Sequence, residues 1–354
     1  MQVASSLEAL PLPNAGQAGV KPKAPLHVFI QEKRIVILQF SSYSVTSHAM
    51  QSSSNSSYSY STRRGLAVIA IAGLTASSVI SAALSANVTT GGETLGDITS
   101  GSVQCVVGNP NAYVLTETVD WVWTERMSKY VPGSENIIFD QLVTNKGSLN
   151  YCIRWDSKDR LSKSDASKFE AMLNRQFKAW NQWLIGYDCW PYNKINVKIV
   201  GWAARDASLF EWSDDSLGKI YTSDKDVDGV PQCPTACYKH QERALNSDTS
   251  ACEGTPFDMS LWPTQNMDGG AGGDWGQRVN AENLLATLDQ DQTLIVSHEI
   301  GHGFGLPDFY EETDKPKTDF PACIMDSGTA ATVTPSDGWM VRRVLENIKS
   351  RYSF

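Results

Sequence analysis

One short stretch of the chain carries three side chains that together suit a metal ion. In Ser297-His-Glu-Ile-Gly-His-Gly-Phe-Gly-Leu-Pro-Asp308 two histidines stand four residues apart. On a helix each residue advances about 100°, so His298 and His302 fall within ~40° of one another, one turn apart. Two imidazoles stacked in this way reach a single zinc ion at about 2 Å. Glu299 is rotated off that face, placed to contact a water at the metal without ligating it. Gly305 suits a helix end with positive φ that turns the chain back. Asp308, six residues past His302, then arrives as an oxygen ligand. The spacing predicts one catalytic zinc on His298, His302 and Asp308, with Glu299 as general base. Of the five histidines, His27 and His48 lie far upstream, and two of the other three are in this stretch. The bland reading is a helix with incidental polar residues.

These residues resemble the metzincin zinc peptidases, whose motif is His-Glu-x-x-His-x-x-Gly-x-x-His/Asp; the Asp form is similar to the snapalysin-type bacterial neutral proteases. Cys323-Ile-Met325-Asp-Ser-Gly328 looks like the tight methionine turn that lies beneath the metal in that clan. The segments GGAGGDWGQR (269–278), HEIGHGFGLPDFY and the terminal KSRY are similar to a group of secreted fungal and bacterial zinc peptidases, some attached to cellulose-binding modules. The resemblance covers roughly 145–354. It implies an α+β metzincin-like domain with a twisted mixed sheet, a backing helix, a zinc-binding helix, a Met-turn and a C-terminal helix. It also implies a secreted endopeptidase acting on protein or peptide substrates, in which Glu299 takes a proton as water attacks the scissile carbonyl. Two departures stand out. Asp308 replaces the usual third histidine, so the site carries less positive charge and acidifies its water less. No tyrosine closely follows the methionine turn, which leaves Tyr310 and His240 as candidates for stabilising an oxyanion.

The elements that must position this site can be read from periodicity. Leu149–Trp155 alternates as a strand, and Ile195–Trp202 reads as a second. Ser164 is placed to cap a long helix with Phe169, Met172, Leu173, Phe177, Trp180 and Leu184 near helical spacing. Residues 213–278 are rich in Gly, Asp, Pro and Cys, which predicts loops pinned by disulfides. Asp289 with Gln292 resembles a capping box opening the helix of the metal motif. A last helix spans roughly 336–351, starting at Ser336.

Charge excludes one class of partner. The net charge is −9, and residues 1–86 hold six of the 30 basic and two of the 39 acidic residues. The remainder has 24 against 37, a net of −13. Such a surface repels phosphate backbones and anionic lipid, so no nucleic acid and no stable membrane association are expected. All seven cysteines lie after residue 100. In an exported protein this reads as two or three disulfides with one thiol left over.

Residues 65–84 form an apolar run preceded by Arg63 and Arg64 and followed by small residues, the pattern of a cleaved signal peptide ending near Ala86. Asn87-Val-Thr89 would then be a glycosylation acceptor near the new N-terminus. Residues 1–64 read as a disordered Ser-rich leader, of which 1–49 resemble a gene-model extension upstream of Met50. Residues 87–145 are either an ordered part of the domain or a removable pro-segment, and 146–354 are the catalytic domain. Cys105 has a second reading as a thiolate capping the metal in a latent form. The expected product is an extracellular monomer.

Weaker signals remain. Asp224, Asp226 and Asp228 have the opening spacing of an EF-hand loop and suggest a structural calcium, against an acidic surface turn; the twelfth position is Thr235 instead of Glu. Cys233, Cys237 and His240 read as a disulfide loop before a second zinc site. Eleven tryptophans raise the rival function of carbohydrate or cell-wall binding over a vestigial metal site, with core packing as the default. A zinc hydrolase acting on something other than peptides is the other alternative.

Overall fold

Residues 105–241 and 245–354 are described by the computed structural model; the leader, the export segment, the acceptor at Asn87 and the rest of residues 1–104 lie outside them. The chain opens with α1 (Thr116–Trp121), which runs into a π-helical turn (Val122–Met127), then α2 (Ile138–Thr144), β1 (Ser148–Trp155), α3 (Lys163–Ala166) and α4 (Phe169–Asn181). There follow β2 (Asn196–Ala204), β3 (Lys219–Tyr221), β4 (Met259–Thr264), β5 (Gly270–Gly273) and β6 (Gly276–Asn280). Three helices close the chain: α5 (Ala281–Thr287), α6 (Leu294–Gly303) and α7 (Pro335–Ile348).

The strands form one six-stranded sheet in the order β3-β2-β1-β4-β6-β5. Every neighbouring pair is parallel except β5 with β6, which is antiparallel. The fold is thus mixed α and β, with a mostly parallel sheet. Its two faces follow from the period-2 pattern of β1. Leu149, Tyr151, Ile153 and Trp155 join the large core with Phe177 and Trp180 of α4 and Ile300 of α6. Cys152 faces the other way into a small cluster with Val200, Ala203, Tyr221, Cys233, Cys237 and Phe257. Being covered on both faces suits a parallel sheet.

Three disulfides form: Cys105–Cys189, Cys152–Cys233 and Cys237–Cys252. Cys323 is the remaining thiol and is buried. Cys105 is therefore committed to Cys189, not to a latent metal site. Cys233 and Cys237 take different partners and do not share an ion. Residues 105–145 are built into the core, since Val119, Val122, Met127, Val131, Ile138, Phe139 and Leu142 are all buried in the main cluster. Removing the segment would strip that cluster of all these apolar side chains.

Several expected boundaries shift for physical reasons. Residues 213–278 are not all loop, because β3, β4, β5 and most of β6 fall within them. Ser162, not Ser164, caps the first short helix, accepting from Asp165 N. Asp289 and Gln292 do not form a capping box. Asp289 pairs with Lys168, and Gln292 Oε1 accepts from Val333 N. Helix α6 begins instead at Leu294, and its N-cap Thr293 donates its N–H to the buried Gln176 Oε1 of α4 at 2.9 Å. Helix α7 starts one residue earlier than expected, with Thr334 in a capping box with Asp337 and Pro335 at its first position.

Candidate metal centre

Helix α4 holds the start of α6 in place. Gln176 Oε1 accepts from Ser297 Oγ at 2.7 Å as well as from Thr293 N, and Trp180 Nε1 donates to Ser297 O at 2.9 Å. The first turn of α6 is thereby fixed just before His298. The far end closes in a Schellman turn: Leu306 N donates to Gly301 O at 3.1 Å and Gly305 N to His302 O at 2.9 Å. Gly305 supplies the positive φ of 93° that this turn requires. The chain then doubles back toward the helix face, as its spacing suggests.

The two imidazoles and Asp308 meet there. Asp308 Oδ1 lies 3.1 Å from His298 Nε2 and 3.3 Å from His302 Nε2. A tetrahedral ion with bonds of about 2 Å separates its ligand atoms by roughly 3.3 Å, so both separations from Asp308 Oδ1 match the edge of such a site. The other ring nitrogens are both used by main-chain oxygens. His298 Nδ1 is 2.7 Å from Ile324 O, and His302 Nδ1 is 2.9 Å from Leu306 O. A carbonyl accepts only, so each Nδ1 carries the proton and each Nε2 of a neutral ring presents its lone pair to the centre. In that state Asp308 Oδ1 and Glu299 Oε2 are buried and make no hydrogen bond. Orphaned buried carboxylate oxygens are costly unless a cation meets them. The residues present fit a divalent metal.

Glu299 is buried, with Oε2 3.8 Å from His302 Nε2. His298, Glu299 and His302 offer ligand atoms within 4.8 Å of one another, the one such group of three or more His, Cys, Asp or Glu among the described residues. Asp308 approaches both imidazoles more closely than Glu299 approaches His302.

The charges of the metal-free site follow from the same contacts. A second proton on Nε2 turns the approach of Asp308 into a charged hydrogen bond. Burial disfavours the His302 imidazolium, yet the hydrogen bond and charge of Asp308 outweigh it and lift its pKa to about 9. His298 is raised too, burial again being overcome by Asp308 and Glu299. Burial pushes the Asp308 carboxyl up, but the two imidazoles prevail and hold it well below the usual range. Burial raises Glu299 above an ordinary glutamate, against the pull of both histidines.

Two further elements wall the site. Met325 is buried beneath α6, where a Cβ on Gly301 would overlap its sulfur and come within 2.9 Å of the Trp180 ring. Asp337 Oδ2, at the start of α7, accepts from Ile324 N at 2.9 Å, so α7 positions the carbonyl that orients His298. On the other side β5 lies directly against α6. A Cβ on Gly272 would overlap the carbonyl of Glu299 and stand 2.8 Å from its Cα, so the glycine-rich strand is required for this close approach.

Tyr310 joins the site, and His240 does not. The Tyr310 hydroxyl is 3.0 Å from His298 Nε2, its ring stacks on that imidazole at 12°, and its side chain is substantially exposed. His240 is buried against Asp258, 3.1 Å from Oδ1. The aspartates expected to hold calcium do not converge in any three-ligand group among the described residues. Asp226 is instead taken by Arg154 and by the N–H groups of Val230 and Asp228. The tryptophans are mostly core: Trp155, Trp180, Trp190 and Trp202 are fully buried, and no tryptophan is largely exposed. Sequence reasoning misses Arg126, whose guanidinium touches the backbone of Asp308; partners that are main-chain oxygens leave no side-chain pattern to find. No family model matches the chain, and no curated protein matches it in sequence.

Proposed function

We propose that this chain is a zinc-dependent endopeptidase of metzincin type that works outside the cell. The observation that carries the reading is the convergence of His298 Nε2, His302 Nε2 and Asp308 Oδ1, with both Nδ1 protons committed elsewhere and a buried carboxylate beside them. The antiparallel edge strand β5 against α6 and the buried Met325 beneath it support the metzincin assignment. Three disulfides are compatible with an oxidising compartment. Among the described residues no helix is long and apolar enough to cross a membrane.

His298, His302 and Asp308 would hold the ion. Bound there, zinc supplies Lewis acidity toward a carbonyl and a water. Glu299, buried beside the imidazoles, takes the proton from the attacking water and delivers it to the departing amine. Tyr310 is placed to donate its hydroxyl to the oxygen that gains charge, while β5 offers an extended edge along which a peptide can lie.

The test is Glu299→Gln in the purified chain, with zinc content and casein hydrolysis measured together. Zinc should be retained at wild-type stoichiometry while hydrolysis falls by about 10²–10⁴-fold. Casein cleavage by this variant at the wild-type rate, or a wild-type chain that takes up no zinc, would end the proposal.

A further inference from the structure

The loop that carries Asp308 is gripped from outside by the segment that precedes the sheet. Arg126 sits in the π-helical turn Val122–Met127, a local irregularity that recurs at functional sites. Its Nη2 donates to Asp308 O at 3.1 Å and its Nη1 to Asp314 O at 2.9 Å. Nη1 also pairs with Asp314 Oδ1 at 2.9 Å, and the guanidinium lies 5.7 Å from the centre of the Phe309 ring. Four residues on, Tyr130 donates its hydroxyl to Gly305 O at 3.0 Å. On the inner side, Phe309 N donates to Met325 O at 3.1 Å. The backbone around Asp308 is thus suspended between the methionine turn and one arginine.

We propose that Arg126 is a positioning residue for the metal centre, fixing the 306–314 loop so that the Asp308 carboxylate meets the two imidazoles. This rests on the ligand set given above. The planar fork of arginine suits the task, because the carbonyls of Asp308 and Asp314 need divergent donors on one rigid group. Without it, the Asp308 side chain keeps its chemistry but loses its fixed approach, and the ion sees two strong ligands and a wandering third. Groups that orient metal ligands in this way typically govern affinity by about 10–100-fold.

The experiment measures zinc affinity of the purified chain by competition with a chelating dye. Arg126→Met keeps the aliphatic stem beside Phe309 and removes every donor; it should bind zinc about 10–100-fold more weakly. Arg126→Lys, with one donor restored, should fall between Arg126→Met and wild type. Arg154→Met is the control, since it also deletes a part-buried ion pair, with Asp226, and should leave affinity unchanged. A merely structural role is separated by a double-mutant cycle. If Arg126 acts through Asp308, then Arg126→Met with Asp308→Ala binds zinc no more weakly than Asp308→Ala alone. Wild-type affinity in Arg126→Met, or losses that simply add, overturns the proposal. Should Arg126→Met fail to fold, the same cycle run with Arg126→Lys decides it. A wild-type chain without zinc affinity removes the ligand set itself; loss of zinc in Asp308→Ala with none in Arg126→Met removes the positioning role alone.

Discussion

His298 Nδ1 lies 2.7 Å from the carbonyl oxygen of Ile324, the residue just before Met325. The turn beneath α6 therefore decides which imidazole nitrogen faces the cleft, and α7 steadies that turn through Asp337. The consequences of this layered support can be measured.

Tyr310→Phe removes one hydroxyl and leaves the ring on His298. If the hydroxyl stabilises developing charge, kcat on a peptide substrate should drop by about 10²–10³-fold with KM and zinc content little changed. A change confined to KM would assign the ring to substrate binding instead.

Gly301→Ala pits two effects against each other. Helix propensity favours the variant by about 1 kcal/mol. Against it, the new Cβ would overlap Met325 Sδ and press on the Trp180 ring at 2.9 Å, and overpacking of this kind costs about 1–3 kcal/mol. The clash should win, lowering the midpoint of chemical denaturation and weakening zinc binding together. An increase in stability would mean that Met325 is free to move aside.

Asp258 gives the fold an acid-sensitive joint. Its carboxylate receives Asn145 Nδ2 and Asn150 N, each at 2.7 Å, and lies 3.1 Å from both His240 Nε2 and Lys239 Nζ. Burial pushes its pKa up, but His240, Asn150 and Lys239 outweigh burial and lower it. A lowered pKa adds stability that is complete above the unfolded value of about 4 and is lost as pH falls through the folded value. Urea midpoints should therefore decline below about pH 4. Asp258→Asn should lose about 1–3 kcal/mol at neutral pH and show a shallower decline in acid. An identical slope in both proteins would place the acid sensitivity elsewhere.

Much of this is legible in the sequence, and the exceptions are instructive. The pairing of His298 with His302 and the helix-ending turn at Gly305 are legible because both follow from helix geometry, whereas the final approach of Asp308 also depends on Arg126 and Met325 from elsewhere in the chain. Strand β1 shows its period-2 face plainly. Strands β5 and β6 are hidden because Gly270, Gly272, Gly273 and Gly276 look like loop residues. In β5 the glycines let a strand lie against Glu299 with no side chain between. The start of α6 is misread at Asp289 because its actual support, Gln176, comes from another helix. Sequence patterns report local partners and miss those supplied by tertiary contact.

The sulfur bridges join residues 105 to 189, 152 to 233 and 237 to 252. No bridge reaches past Cys252, although the stretch beyond it carries His298, His302 and Asp308. A protease nick between Cys189 and Cys233, for instance at Lys219, would leave the pieces on one band in a non-reducing gel. A nick in the 265–269 turn would release the whole ligand-bearing fragment in denaturant with no reductant at all. If the proposed peptidase activity holds and copies of the chain meet, that asymmetry marks where self-cleavage is survivable and where it is final.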